Sequence, residues 1–556
     1  MMPIASAVLA VTFAFLPPAA APEPSYLELV RDANAHFDAG RYPDAASAYE
    51  RAITKNPFEW QRWYRLALSL YRAKEYRRAI PAYERALELG GSGGTFRADQ
   101  AYDIACCHAL LGEKEEALAA LRRALDLGAT NLDHIRGDAD LESLRADSRF
   151  RDWLYLVDAG ALSRDERWRY DLRTLAREIE RIHWSPFRVI SKDEFEKRVR
   201  ALHDEIPSLS DPAVEVRLMQ LMSAIGDGHT RLLPDVIFMS GAPVQLALFE
   251  EGLFVVRAAP AVAELAGAEV LRIADAPVAA ALAAVGTVIS RESEFFAKHF
   301  APLFLRQPRI LNGLGLVADP RKLPLTLRTA AGTEKTVVLE SELGHPDDSW
   351  VSPVKGEAPL SAKNPGAAYW FEFLEPERTV YFQYNRVEND PKESLAAFCE
   401  RLFSFVSDEK NDVRKLVIDL RRNGGGDMTL NRPLVHGLIR APRINRRGAL
   451  FVIVGRETFS AAMNAAADIE RETEALFVGE PTGSSPNHVG ESNRFQLPCS
   501  GLRGTISNQL FQRSQPFDSR TFIAPRLFAP PTFADFASNR DAATAAILRE
   551  PMVDPR

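Results

Sequence analysis

The stretch GALFVIVGRETFSAAMNAAADIERE, Gly448 to Glu472, decides the fold of the larger part of this chain. It opens on an apolar, partly β-branched run, Ala449 to Val454, with the length and composition of a buried strand. Gly455-Arg456-Glu457-Thr458 breaks the run with a turn. The alanine-rich segment that follows has the propensity of a helix. Ser460 stands where strand becomes helix. Serine is a favoured N-cap, because its hydroxyl accepts a bond from a backbone N–H of the first turn. The same place suits a nucleophile. The choice between the two turns on whether the chain supplies a base.

Outward from this stretch, strands and helices alternate. RTVYFQYN (Arg378–Asn385) reads as a strand and KESLAAFCERLFSFVSD (Lys392–Asp408) as a helix. RKLVIDL (Arg414–Leu420) reads as a strand, residues 430–440 as a helix, and ALFVGE (Ala475–Glu480) as a strand. Continuous apolar strands with helices between them mean a mostly parallel sheet, buried on both faces. Ligands of such sheets sit at the carboxyl ends of the strands. Ser460 leaves one such end. VIDLRRNGGGD (Val417–Asp427) leaves the neighbouring one with Gly424-Gly425-Gly426.

A glycine run there exposes backbone N–H groups to an anion. A phosphate loop would follow its glycines with Lys-Ser/Thr, but Asp427-Met428 stands there. The expected use is an oxyanion hole built from Gly424, Gly425 and the N–H of Ala461. Each such donor is typically worth about 2.7–4 kcal/mol to the rate. Arg421 and Arg422 read as braces for the sheet end. Glu457 reads as solvent-facing, and His183 and His436 as packing residues.

The N-terminal part repeats itself. Tyr42, Ala45, Tyr49 and Ala52 recur as Tyr76, Ala79, Tyr83 and Ala86, each 34 residues on. Ala117 and Ala124 lie 38 after Ala79 and Ala86, the extra four matching an insertion at Gly91–Gly94. A unit of two helices, with alanines at the crossings and aromatics in the gaps, resembles the tetratricopeptide repeat. Three units and a capping tail, NLDHIRGDADLESLRADSRFRDWL (Asn131–Leu154), span about Tyr26 to Leu154. Such stacks bind peptides or protein partners, and also serve as spacers or oligomer contacts. DAGALSRDERW (Asp158–Trp168) reads as a linker. Residues 165–225 read as helices, and Val244 to about Leu339 as short strands with a helical insert near Arg291–Leu305.

Bulk composition narrows the class. The chain has 556 residues, 46% apolar and 26% charged, with a net charge of −7. It is too long for one domain. It has no long basic run, so nucleic acid and anionic membrane surfaces are not expected partners. MMPIASAVLAVTFAFLPPAAAPEPS, at the start, has the shape of a signal peptide, although no Lys or Arg precedes its apolar run. The expectation is export, to a periplasmic or extracellular location, with no membrane span beyond that segment. The four cysteines, Cys106, Cys107, Cys399 and Cys499, read as small apolar fillers, with a Cys399–Cys499 bridge left open. No His/Cys/Asp cluster has metal-ligand spacing and no dinucleotide fingerprint occurs, so neither a metal nor another cofactor is expected.

VIDLRRNGGG, GRETFSAA and VGEPTG, in that order, resemble the serine peptidase family of the C-terminal processing (tail-specific) peptidases, the tricorn core and interphotoreceptor retinoid-binding protein. The resemblance covers about residues 165–545. SAIGDGHTRL (Ser223–Leu232) matches its N-terminal motif, and LAGAEVLRIADAPV (Leu265–Val278) resembles half of its PDZ-like domain. It implies a multidomain chain: an all-α repeat solenoid, then an α/β crotonase-like peptidase core with a partial PDZ-like β domain. The boundaries expected are 1–21 for the signal peptide, 25–160 for the repeats, 165–235 for a helical subdomain, 243–345 for the PDZ-like domain and 366–548 for the core.

The resemblance also implies a base. The processing peptidases use a lysine, but Ser484 and Ser485 occupy its place in VGEPTGSSPNH. The tricorn branch uses a histidine, and His229 of GDGHT falls there. A neutral imidazole can take the Ser460 proton near pH 7, where an ordinary lysine cannot. His488 is a rival base. Asp518, one residue from the tricorn acid, would orient His229, or is a surface carboxylate paired with Arg520. The implied activity is hydrolysis of a peptide or protein substrate by Ser460, His229 and Asp518. The retinoid-binding relatives leave a second reading, an inactive peptidase fold that binds a ligand or partner.

Overall fold

The computed structural model describes residues 23–90, 94–129, 131–234, 240–344, 347 and 349–551. The expected signal peptide lies outside them. The chain divides into two compact units, Met1–Leu154 and Tyr155–Arg556.

The first unit is three helical hairpins. They pair Tyr26–Asp38 with Tyr42–Lys55, Trp60–Arg72 with Tyr76–Leu89, and Gly94–Leu110 with Lys114–Asp126. The periodic alanines Ala45, Ala52, Ala79, Ala86, Ala117 and Ala124 are all fully buried, as are Tyr49 and Tyr83. A methyl side chain lets two helices close together, and the tyrosines fill the space between hairpins. In the tail, Asn131, Asp138 and Asp147 cap three short helical turns, and Leu141, Leu144, Phe150 and Leu154 are buried there.

The second unit begins earlier than the expected linker allows. Within Asp158–Trp168, Asp158 caps a short turn and Ser163 starts the helix Arg164–Ile182 with a full capping box. Two more helices follow, Lys192–Glu205 and Asp211–Ser223. Next comes an antiparallel sheet of Val244–Leu248, Leu253–Ala258, Glu269–Ile273, Lys322–Arg328 and Glu334–Glu340. Its insert is longer than expected, with helices Val278–Gly286, Glu294–Leu305 and Pro308–Gly313.

The core sheet has six strands in chain order: β1 (Tyr369–Leu374), β2 (Thr379–Tyr384), β3 (Lys415–Asp419), β4 (Leu450–Val454), β5 (Leu476–Gly479) and β6 (Leu527–Phe528). β1 is antiparallel to β2 and every other pair is parallel. Alternate residues serve opposite faces. Val380, Phe382, Leu416, Ile418, Leu450 and Val452 pack on the helices Leu395–Ser407, Arg432–Ile439 and Ala461–Glu472. Tyr381, Val417, Phe451 and Ile453 pack on the C-terminal helix Ala542–Arg549. Burial on both faces explains why the strands are continuous apolar runs. Arg421 braces one end as expected, bridging Asp419 and Asp541 at 2.8 Å each.

A long hairpin, Asn487–Gln496 with Arg503–Gln512, leaves the sheet after β5. Arg231–Leu232 adds to its edge as a third strand, opposite Thr505 and Gly504. This pairing carries the GDGHT segment to the core. The four cysteines are free, which excludes the Cys399–Cys499 bridge. Cys106, Cys107 and Cys399 are buried, and only Cys499 is partly exposed. Among the described residues, no helix is long and apolar enough to cross a membrane.

Candidate active site

Ser460 is not a helix cap. Its side chain makes no capping bond to Ala461–Glu472, and its backbone is held at φ +54°, ψ −124°. A non-glycine residue pays strain on the order of 1–3 kcal/mol for such a conformation. The turn that imposes it is tightly bonded. Thr458 Oγ1 accepts from Gly455 N–H at 3.0 Å and donates to the Leu420 carbonyl at 2.9 Å. The N–H of Phe459 donates to the Asn423 carbonyl, and that of Gly483 to the Thr458 carbonyl. A serine on a strained strand-to-helix turn presents its Oγ clear of the backbone.

The Oγ faces His229, whose Nε2 lies 3.0 Å away across 231 residues of sequence. The GDGHT turn is organised by Asp227. Its Oδ1 accepts from the N–H groups of His229 and Thr230 and from the Ser507 hydroxyl, at 2.9, 2.7 and 2.9 Å. Its Oδ2 lies 2.8 Å from Nε2 of His183. His183 Nδ1 accepts from the Ser185 N–H, so its Nε2 carries the proton given to Asp227. His183 therefore belongs to the support of the site and is not merely a packing residue. Thr505 fixes the turn from the hairpin, donating to the His229 carbonyl at 2.6 Å. The imidazole stacks on Phe459 at 4.3 Å, and Phe459 in turn stacks on Phe296 at 4.4 Å. Gly228 has to be glycine, since a Cβ there would stand 2.8 Å from the Phe459 ring.

Burial pushes His229 down to about 3, and the neighbouring His488 adds to the effect. The imidazole is neutral near pH 7, with a lone pair available to Ser460. His488 stacks beside it at 5.8 Å and is also pushed down by burial, to about 4. Its Nδ1 lies 3.2 Å from the Ser485 carbonyl and its buried Nε2 has no partner, so it makes no bond to Ser460. Geometry thus favours His229 over His488. Ser484 and Ser485, in the lysine position, hold Glu292 and the Asn487 carbonyl instead.

The glycine loop is closer to Ser460 than a side chain would permit. A Cβ on Gly425 would stand 2.7 Å from Ser460 Cβ, 3.1 Å from its Oγ and 3.0 Å from the Ala461 N. The missing side chain leaves a niche between Ser460 Oγ and the first N–H of the helix. That N–H bonds to no backbone carbonyl among the described residues. Gly425 serves differently from the expectation. Its own N–H donates to Asn423 Oδ1 at 3.0 Å, so it lines the niche and does not offer a free donor. Gly424 is exposed, with open space around the position of a side chain.

Asp518 is the carboxylate paired with Arg520 and does not orient His229. Asp518 makes ion pairs with Arg520, which also holds Glu470, and accepts from the Ser514 hydroxyl at 2.6 Å. It makes no hydrogen bond to His229. The one-residue offset leaves its carboxyl in a turn that Arg520 closes. Glu292, which nothing in its local sequence singles out, is the carboxyl the structure brings to the site. Asp227, His229 and Glu292 each place one donor atom within 4.8 Å of the others. Two further expectations are corrected. Glu457 is half-buried, and burial raises its carboxyl to about 7. His436 is exposed, not packed.

Residues 31–94 and 101–130 match the tetratricopeptide repeat. Among solved structures, the chain is similar to mature CPAF, at 13% identity and a TM-score of 0.48, over 69% of this chain and 96% of that one. It is also similar to the photosystem II D1 C-terminal processing protease, at 14% identity and a TM-score of 0.31, over 69% of this chain and 99% of that one. The chain is a tetratricopeptide-repeat stack followed by an α/β core that carries Ser460, to which the pairing of Arg231–Leu232 brings His229.

Proposed function

We propose that this protein is an exported serine-type peptidase that works through a histidine base. The observation that carries the reading is the 3.0 Å contact of His229 Nε2 with a Ser460 held in a strained turn and free of capping duty. His229 takes the Ser460 proton as Oγ attacks a peptide carbonyl. The carbonyl oxygen becomes an oxyanion in the niche beside Gly425, against the N–H of Ala461. His229 then returns the proton to the leaving amine, and water, deprotonated by the same imidazole, releases the acyl group. Export rests on the composition of residues 1–21. The repeats recruit a protein partner or substrate.

The test is hydrolysis of an unfolded protein by the chain lacking residues 1–21, with new N-termini mapped by mass spectrometry. Wild type generates them and Ser460→Ala does not. Equal cleavage by both sinks the proposal. A folded wild type that cuts nothing and bears no reactive serine returns the case to a ligand-binding protein.

A further inference from the structure

We infer that Glu292 is the positioning acid of this site, its carboxylate receiving the Nδ1–H of His229. The inference rests on the reading of Ser460 and His229 given above, and supplies the residue that reading lacks. His229 Nδ1 is buried with no side-chain hydrogen-bond partner, only the Val489 backbone favouring its charged form, and Oε1 of Glu292 is buried without a partner. Two unmatched buried polar atoms in one place are costly unless they serve each other. A ring nitrogen of His229 and a carboxyl oxygen of Glu292 lie within 4.8 Å of each other. Among the described residues, neither other candidate acid is free for the role. Both oxygens of Asp227 are already engaged, and Asp518 is held by Arg520.

Glu292 is also held in place. Ser293 donates to the Thr482 carbonyl at 3.1 Å, fixing the segment to the loop after β5. Phe296, one turn into the following helix, stacks on the Phe459 that floors His229. Ser484 donates to Glu292 Oε2 at 3.4 Å. An acid at Nδ1 fixes the tautomer that leaves the Nε2 lone pair facing Ser460, and its charge stabilises the imidazolium formed as the serine proton is taken. Without it, an imidazole this buried is a weak base.

The charged and titratable groups around Glu292 are known. Burial raises its carboxyl to about 8, helped by Asp227 and opposed by Arg188. The Gly228 N–H favours its ionised form. His183 sits on Asp227, and Arg231 and His488 flank His229. The carboxylate form therefore appears as pH rises through about 8, and the site becomes more reactive in that interval.

The experiment compares wild type, Glu292→Gln, Glu292→Asp and Asp518→Asn. The first readout is the rate of Ser460 labelling by a fluorophosphonate from pH 6 to 10. Here Oγ bonds to phosphorus, fluoride leaves, and His229 accepts the proton. We expect a rising limb near pH 8 in wild type. Glu292→Gln lowers the rate at pH 8.5 by about 10²-fold or more and removes that limb. Glu292→Asp restores part of both, and Asp518→Asn behaves as wild type. The second readout is the His229 Cε1 resonance, assigned with His229→Asn, which needs no reactivity. It shows an inflection near pH 8 in wild type that Glu292→Gln lacks. Ser460 labelling that depends on His229, with the same pH profile in Glu292→Gln, overturns the inference and spares the peptidase reading. An inflection without any labelling upholds the pairing and overturns the peptidase reading. Loss of both in Asp518→Asn restores Asp518.

Discussion

Gly425→Ala tests the niche with one methyl group. A Cβ at this position would meet Ser460 Cβ at 2.7 Å, where ordinary contacts begin at 3.4 Å. Relief needs a displacement of about 0.7 Å, and the nearest yielding atoms are those of Ser460 itself. Misplacement of a reacting group by about 1 Å costs on the order of 10²-fold in rate. Gly425 also sits at φ +114°, where an alanine is strained by about 1–3 kcal/mol. The expected result is a fall of about 10²-fold in fluorophosphonate labelling, with a melting temperature lowered by only a few degrees. The matched control is Gly424→Ala. It keeps the same N–H, meets no atom within 4 Å and lies outside the left-handed region, so labelling stays within about 2-fold. If Gly425→Ala labels at the wild-type rate while folded, the niche is not where the reaction occurs.

Further outcomes follow from the same geometry. Arg421→Ala strands two buried carboxylates, Asp419 and Asp541, and should lower stability by about 3–5 kcal/mol in denaturant titration. A loss below about 1 kcal/mol would mean the bridge is not buried in solution. Burial raises the cost of charging Asp541, but Arg421 outweighs it and holds the carboxyl at about 2. Three histidines, His229 and His488 buried and His299 half-buried, resist protonation in the folded chain. His229, His299 and His488 are pushed down by burial to about 3, 4 and 4, against about 6.5 when unfolded. The unfolded chain takes up protons that the folded chain refuses, so the histidine contribution to stability is full above pH 6.5 and falls from there toward pH 4, while the raised carboxyls of Glu292 and Glu457 act in the opposite sense. Histidine Cε1 resonances of these three that titrate near pH 6.5 in the folded chain would contradict this resistance. Asn423→Ala frees the Gly425 N–H and unties the Tyr384 carbonyl from the loop, so it should lower both stability and labelling. Unchanged values for both would remove Asn423 from the support of the turn.

The sequence disclosed more of the frame than of the site. The apolar runs of β3 and β4 and the alanines of Ala461–Glu472 announce themselves, because burial on both faces and close helix packing leave little choice of residue. The 34-residue spacing of Tyr49 and Tyr83 works in the same way. Ser460 and the glycine loop were legible because each leaves the carboxyl end of a neighbouring strand. His229 was legible only through the family likeness. Its approach to Ser460 depends on Arg231–Leu232 pairing with a hairpin more than 270 residues away, and no local pattern encodes that. Asp518 shows the complementary limit: likeness in order along the chain does not fix where a turn points its carboxyl. Glu292 was invisible, since its role comes from where the insert lies and not from its neighbours. The Gly425 N–H was likewise assigned by type, and the Asn423 side chain that holds it can be seen only in three dimensions.

The most direct test of the central claim is intact-mass measurement of the purified chain, without residues 1–21, after reaction with a fluorophosphonate. Digestion then locates the adduct. One adduct per chain is expected, on Ser460, absent from Ser460→Ala and slowed at least about 10²-fold in His229→Ala. An adduct on another serine, or on Ser460 at an undiminished rate without His229, would contradict it.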